Sequence, residues 1–428
     1  MALTLPEEKF QVMKEWVEAY VELFPSSVGI GILHRGACVQ SWFYGQASQR
    51  FSVPLSEESS FPIASLSKGI TAALVLKMAE LGTIHLHQSV REQVPAWQWL
   101  DPRITPHHWL CHSSGMPDYP LQKGERLQEM FAHPWPEEAW IQRFCQAPLQ
   151  HQPGETYAYC NPGYWLLGKL LEKKTGTDFG QLLQEQLFGP LGLSIQIDTP
   201  KEAIPGRVEG YDWLENSLIP APFTDARNFI PQGGLTARIK DMAAWVLALS
   251  SGKILSENSQ RLMFQPHAIS SPKRQITYGY GLHILERFGK KVWGHGGSHW
   301  GYRSHVEYYP EEEFGLIMFS NFGFQEVFNM AEALGKIWFD QPVDAPKKPT
   351  PWAGDPQEIL PYLGRYRADT FELQLSVVGD QYFLDLASGR RWIYPVEPGK
   401  FFHTFLDEAY PIRATDKGMT LWGAKKVS

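Results

Sequence analysis

The chain has 428 residues, 43% of them hydrophobic and 20% charged, with a formal net charge of -7. That length exceeds one ordinary domain and fits one large domain plus a small one. The acidic balance argues against a nucleic-acid partner, which needs a basic face, and gives no attraction to an acidic membrane surface. Aromatic residues make up 13%, including 16 Trp, enough for a bulky core or an aromatic-lined cleft.

The four cysteines, Cys38, Cys111, Cys145 and Cys160, form no Cys-x-x-Cys pair, so free thiols are expected. The N-terminus has no basic region followed by an apolar run, and no 18-residue apolar stretch exists. A leader and a spanning helix are therefore not expected, and a cytoplasmic location is.

In chain order, Phe10, Met13, Trp16, Val17, Tyr20 and Phe24 share one helical face, predicting a helix over 7–24. Residues 27–34 and 37–44 read as two strands joined by Arg35-Gly36. Residues 65–81 form the next strong helix pattern, apolar almost all round and stopped by Gly82. That pattern predicts a buried central helix. The region 83–275 is rich in Pro and Gly, with helices predicted at 163–175 and 238–250. Strands are predicted at 278–285, 291–296, 302–309 and 314–320, then a helix at 324–339.

Pro342, Pro346, Pro349 and Pro351 then mark a stiff linker. Beyond it, strand patterns at 371–377, 381–386, 392–396, 400–405, 411–414 and 419–422 predict a small all-β module. The expected division is 1–340, a linker over 341–352, and 353–428.

Three motifs carry the chemistry. Ser-x-x-Lys occurs at Ser65…Lys68, Ser250…Lys253 and Ser270…Lys273. Only Ser65 opens a long apolar helix, where residues three apart share a face and Lys68 can reach the Ser65 hydroxyl. A buried lysine loses its proton readily and can then act as a base. Tyr159-Cys160-Asn161 is the chain's one Tyr-x-Asn and is expected on a loop. Its tyrosine can shuttle a proton and its asparagine can hold a carbonyl. Cys160 is expected to point away.

His295-Gly296-Gly297 sits in a strand whose glycines let a substrate lie close. The N–H groups of Ser65 and Ser298 could then form an oxyanion hole. Trp300 and Tyr302 could stack on substrate or pack in the core. His34-Arg35-Gly36 is a hairpin turn. His107, His108 and His112 lack metal-ligand spacing, so no metal or cofactor is expected. No Gly-x-Ser-x-Gly elbow is present.

Together these motifs resemble the serine β-lactamase and D-Ala-D-Ala peptidase superfamily, in its class C-related branch of D-aminopeptidases, D,D-carboxypeptidases and family VIII esterases. The segments 110–119, 232–241, 278–281 and 294–301 look like that branch as well, so the resemblance covers about residues 10–340. It implies an α+β fold: an antiparallel sheet flanked by helices, plus an all-α lobe. The region 353–428 looks like the small lipocalin-like β-domain that follows some of these hydrolases. The resemblance further implies Ser65 as acyl-enzyme nucleophile, Lys68 as its partner and Tyr159 as general base and acid. Asn161 and His295 would line the cleft, with Gly297, Ser298 and Trp300 on the substrate side.

One departure is the histidine at 295, where class C β-lactamases carry lysine. Neutral histidine is a weaker carboxylate anchor, so slow acylation by penicillins is expected rather than efficient hydrolysis. The function implied is cleavage of an amide in a D-amino-acid or small peptide substrate. A carboxylesterase, a peptide-cyclising acyl transferase and a non-catalytic binding module are the alternatives. The partner expected is a small peptide, amide or ester.

Overall fold

In a computed structural model of the chain, eight antiparallel strands form one sheet. Their spatial order is Ala268–Ser271, Ile276–Tyr278, His283–Arg287, Lys290–His299, Tyr302–Tyr309, Phe314–Ser320, Val28–His34 and Ala37–Tyr44. The structure describes residues 7–120, 122, 125–199, 203–214, 217–368, 372–386, 389–403, 409–415, 418–421 and 424–427. Residues 27–209 with 222–321 make one compact unit, which contains the whole sheet. Residues 1–26, 210–221 and 322–428 make a second.

The strand predicted over 278–285 is two strands, Ile276–Tyr278 and His283–Arg287. The reason lies between them: Gly281 has φ = 75°, and a Cβ there would meet the Lys68 carbonyl oxygen at 2.6 Å. The chain turns out of the sheet to press on the central helix.

That central helix runs Ser67–Glu80, and eleven of its fourteen residues are buried. A helix apolar on every side must be surrounded by protein. A single 3-10 turn, Ala64–Leu66, precedes it. Ser65 therefore sits on that turn and not on the α-helix predicted from residue 65. The helix beginning near 163 starts at Asn161 and runs to Thr175. Asn161 thus opens a helix instead of lying on a loop. Cys160 is its N-cap, with Sγ accepting the Gly163 N–H at 3.4 Å.

The strand Lys290–His299 packs on the 3-10 turn. Gly297 pairs with Ser304 in the sheet, and Ser304 Oγ donates to the Ile63 carbonyl at 2.7 Å. A Cβ at Gly297 would stand 2.5 Å from that same carbonyl oxygen and 2.1 Å from Ser304 Oγ. Only hydrogen fits where the glycine strand and the turn meet.

In the second unit, helix Glu7–Leu23 meets helix Val327–Trp338. Phe10 stacks on Trp338 at 5.8 Å between ring centroids, and Lys9 reaches Asp340 at 2.7 Å. The C-terminal strands close into an eight-stranded barrel. Tyr366, Leu373, Leu384, Ile393 and Phe401 pack its interior. Two of its strands, Gly364–Arg367 and Ala424–Lys426, carry no readable alternation, and they pair with one another to close the barrel. Of the predicted strands, residue 371, residues 404–405 and residue 422 lie outside the described residues. Among the described residues no helix is long and apolar enough to cross a membrane.

Leu74, fully buried in the central helix, should lose about 2–5 kcal/mol of stability as Leu74→Ala. Gly297→Ala should lose about 1–3 kcal/mol through overpacking. Urea denaturation of both variants checks this, and a Gly297→Ala protein as stable as the parent would show that the strand has room.

Candidate active site

The backbone places the nucleophile candidate under strain. Ala64, just before Ser65, has φ = 46°, a region that non-glycine residues rarely adopt. Ser65 is held half-buried on the turn. Two groups converge on its hydroxyl: Lys68 Nζ lies 3.1 Å from Ser65 Oγ, and the Tyr159 hydroxyl donates to the same oxygen at 2.9 Å.

Lys68 is fully buried. Its Nζ also donates to the Gln232 carbonyl at 2.7 Å and stands 4.9 Å from the Tyr159 ring centroid. Desolvation lowers its pKa from 10.5 to about 7, against an opposing pull from Asp118. A large fraction of Lys68 is therefore the free amine near neutrality. Tyr159 moves the other way. Burial raises its pKa above the ordinary phenol value, although its hydrogen bond to Ser65 works against that. The site pairs an amine that gives up its proton readily with a phenol that keeps its own, around one hydroxyl.

Asn161 lies at the edge of this group. Its backbone N–H and its amide Nδ2 donate to the Asp118 carboxylate at 2.8 and 3.2 Å. Desolvation raises the Asp118 pKa, while Asn161 and Lys68 oppose the shift. Asp118 keeps an exposed surface beside Asn161.

His295 belongs to the cluster but sits buried within it. Its Nε2 pairs with the Tyr278 hydroxyl at 3.1 Å and its Nδ1 with the Gly296 carbonyl at 2.6 Å. Burial, then the neighbouring His283 and Lys68, push its pKa well below 6.5. Gly297 lies against the turn that bears Ser65. Ser298 is exposed, and its Oγ accepts from Arg303 at 2.7 Å. Trp300 follows the strand, half-buried against His299. Tyr302 is core: its hydroxyl donates to the Val208 carbonyl at 3.1 Å. The two Ser-x-x-Lys decoys end the helix Ile239–Ser250 and lie on the strand Ala268–Ser271.

Asp118, Gln232 and His112 escaped motif reading. Each lies in a segment that carries the family resemblance, yet none stands at a spacing that signals chemistry. Among the described residues no group of three or more His, Cys, Asp or Glu could hold a metal ion.

The chain is 27% identical over 346 residues to a D-aminopeptidase of Gluconobacter oxydans, an alignment covering 78% of this chain and 63% of that protein. It thus spans less than two thirds of the relative's length. Two solved structures share the fold. One is the octameric penicillin-binding protein homologue from Pyrococcus abyssi, with TM-score 0.68, 23% identity, and 96% of this chain and 98% of that one covered. The other is D-amino acid amidase from Ochrobactrum anthropi SV3, with TM-score 0.68, 18% identity, and 78% and 99% covered. Residues 16–335 match the family described as Beta-lactamase, and the chain belongs to that family.

Proposed function

We propose that this chain is a serine hydrolase that forms an acyl-enzyme on Ser65 and cleaves small amides of D-amino acids. The observation that carries the reading is the convergence of Lys68 Nζ and the Tyr159 hydroxyl on Ser65 Oγ, at 3.1 and 2.9 Å. A non-catalytic binder has no use for that arrangement.

In the proposed reaction the neutral Lys68 amine takes the Ser65 proton as Oγ attacks the substrate carbonyl carbon. The Ser65 and Ser298 N–H groups face the oxyanion. The C–N bond then breaks, and Tyr159 gives its proton to the departing nitrogen while the Lys68 ammonium restores the phenol. Water next attacks the ester, its proton passes to Lys68, and Ser65 Oγ leaves with a proton returned through Tyr159. We assign the base to Lys68 because burial lowers its pKa and raises that of Tyr159.

The choice of substrate rests on two supports. The relative from Gluconobacter is a D-aminopeptidase and a structural neighbour is a D-amino acid amidase. Asp118 also offers an exposed carboxylate beside Asn161, suited to a free substrate ammonium. His295, buried and neutral, offers no cation to a substrate carboxylate. We read residues 1–340 as the catalytic domain and 353–428 as an accessory barrel. The absence of any helix or strand over residues 341–355 supports the boundary.

Ser65→Ala should abolish turnover and remove any adduct that p-nitrophenyl acetate leaves on the parent, as read by peptide mass spectrometry. Turnover persisting in that variant would end the assignment. Below about pH 7 Lys68 holds its proton and cannot take that of Ser65. The acylation rate should therefore rise with pH through about 7 and then level. A flat profile across that range would move the base elsewhere.

Asp118→Asn should lower kcat/KM for D-amino acid amides by about 10- to 100-fold, the worth of one charged hydrogen bond. It should barely change turnover of their N-acetylated forms. Equal losses on both would remove Asp118 from amine recognition. Esters and added amine acceptors, run beside the amides, report whether hydrolysis of amides is the main reaction.

A further inference from the structure

His112 is fully buried and takes φ = 57°. A histidine in the left-handed region is strained, and such strain persists only where its surroundings impose it. Those surroundings are the two flanks of Tyr159. The His112 carbonyl accepts the Ala158 N–H at 2.8 Å. Its imidazole Nδ1 accepts the Cys160 N–H at 3.1 Å. One residue thus grips the backbone immediately before and immediately after the tyrosine.

The ring completes the grip. It lies 4.3 Å from the Tyr159 ring between centroids, with Tyr278 at 4.9 Å and Tyr164 at 5.1 Å. Because Nδ1 accepts a hydrogen bond, the neutral ring carries its proton on Nε2. That Nε2 has no hydrogen-bond partner among the described residues. Burial, then the charge of Lys68, keep the imidazole neutral. With Nδ1 occupied by a backbone N–H, His112 has no free lone pair to serve as a base.

We propose that His112 is the positioning residue for Tyr159, bracketing its backbone with a carbonyl and an imidazole and holding the phenol against Ser65 with its ring face. This rests on the acyl-transfer reading above. From one left-handed residue, a carbonyl and an imidazole thus both accept from the backbone of the segment 158–160.

The test measures the rate at which p-nitrophenyl acetate acylates Ser65, with thermal unfolding as the control for folding. His112→Ala should acylate about 100-fold more slowly, the scale expected when a catalytic group is displaced by about 1 Å. His112→Asn tolerates the left-handed backbone and presents Oδ1 where Nδ1 stood, but it lacks the ring. It should lose about tenfold and remains informative should the alanine variant fail to fold. In a Tyr159→Phe background neither change should cause a further loss, because His112 acts through the missing hydroxyl.

Losses that multiply in that background would show a merely structural role and overturn the inference. So would a folded His112 variant acylating at the parent rate. A parent protein that gives no Ser65 adduct would instead overturn the acyl-transfer reading, and this inference with it.

Discussion

The structure turns on one buried amine. Lys68 lies on a helix enclosed by protein on all sides, and its nitrogen touches Ser65 Oγ and the Gln232 carbonyl. Water cannot solvate an ammonium there, so the pKa falls to about 7. The same desolvation has a cost to stability. Between about pH 7 and 10.5 the unfolded chain binds a proton at Lys68 that the folded chain does not. Stability contributed by this group therefore rises with pH across that window and is lowest below it. The chain carries that cost at neutral pH, and the result is a base beside a nucleophile.

Around the amine the backbone is forced into close approaches. Ala64 and His112 both occupy the left-handed region, one beside Ser65 and the other beside the segment that carries Tyr159. Gly297 admits the sheet to within contact of the turn, and Gly281 brings the segment after Tyr278 onto the Lys68 carbonyl. Such contacts leave little freedom to the groups they position. Three tyrosines and His112 then pack as a cage whose polar tips point to Ser65, Leu110 and His295. The cage is apolar enough to raise the Tyr159 pKa, and it keeps that phenol a donor.

Much of this was legible in the chain. Helical spacing marked Phe10 through Phe24, an all-round apolar run ended by Gly82 marked the central helix, and the strands at 27–34, 37–44, 302–309 and 314–320 fell within a residue of their observed limits. The misreadings have local causes. The strand over 278–285 is interrupted because a glycine there leaves the sheet to meet Lys68. Asn161 opens a helix because Cys160, a weak cap by composition, accepts the Gly163 N–H. The closing strands of the barrel are too short to show alternation: Gly364–Arg367 has one inward aromatic and Ala424–Lys426 one small residue.

The sequence by itself determined which chemical groups are present and which of them are near neighbours along the chain. Ser65 and Lys68 are joined by a three-residue spacing, and hydrophobic period is likewise a local property that side chains reveal without a partner. Only the tertiary structure decided that Tyr159 meets Ser65 across 94 residues. It alone placed the Asp118 carboxylate on Asn161, gave Lys68 the carbonyl of Gln232, and set His112 on both sides of the tyrosine. The physical reason is that desolvation and long-range hydrogen bonding depend on what surrounds a group once the chain has packed, and no spacing along the chain records that.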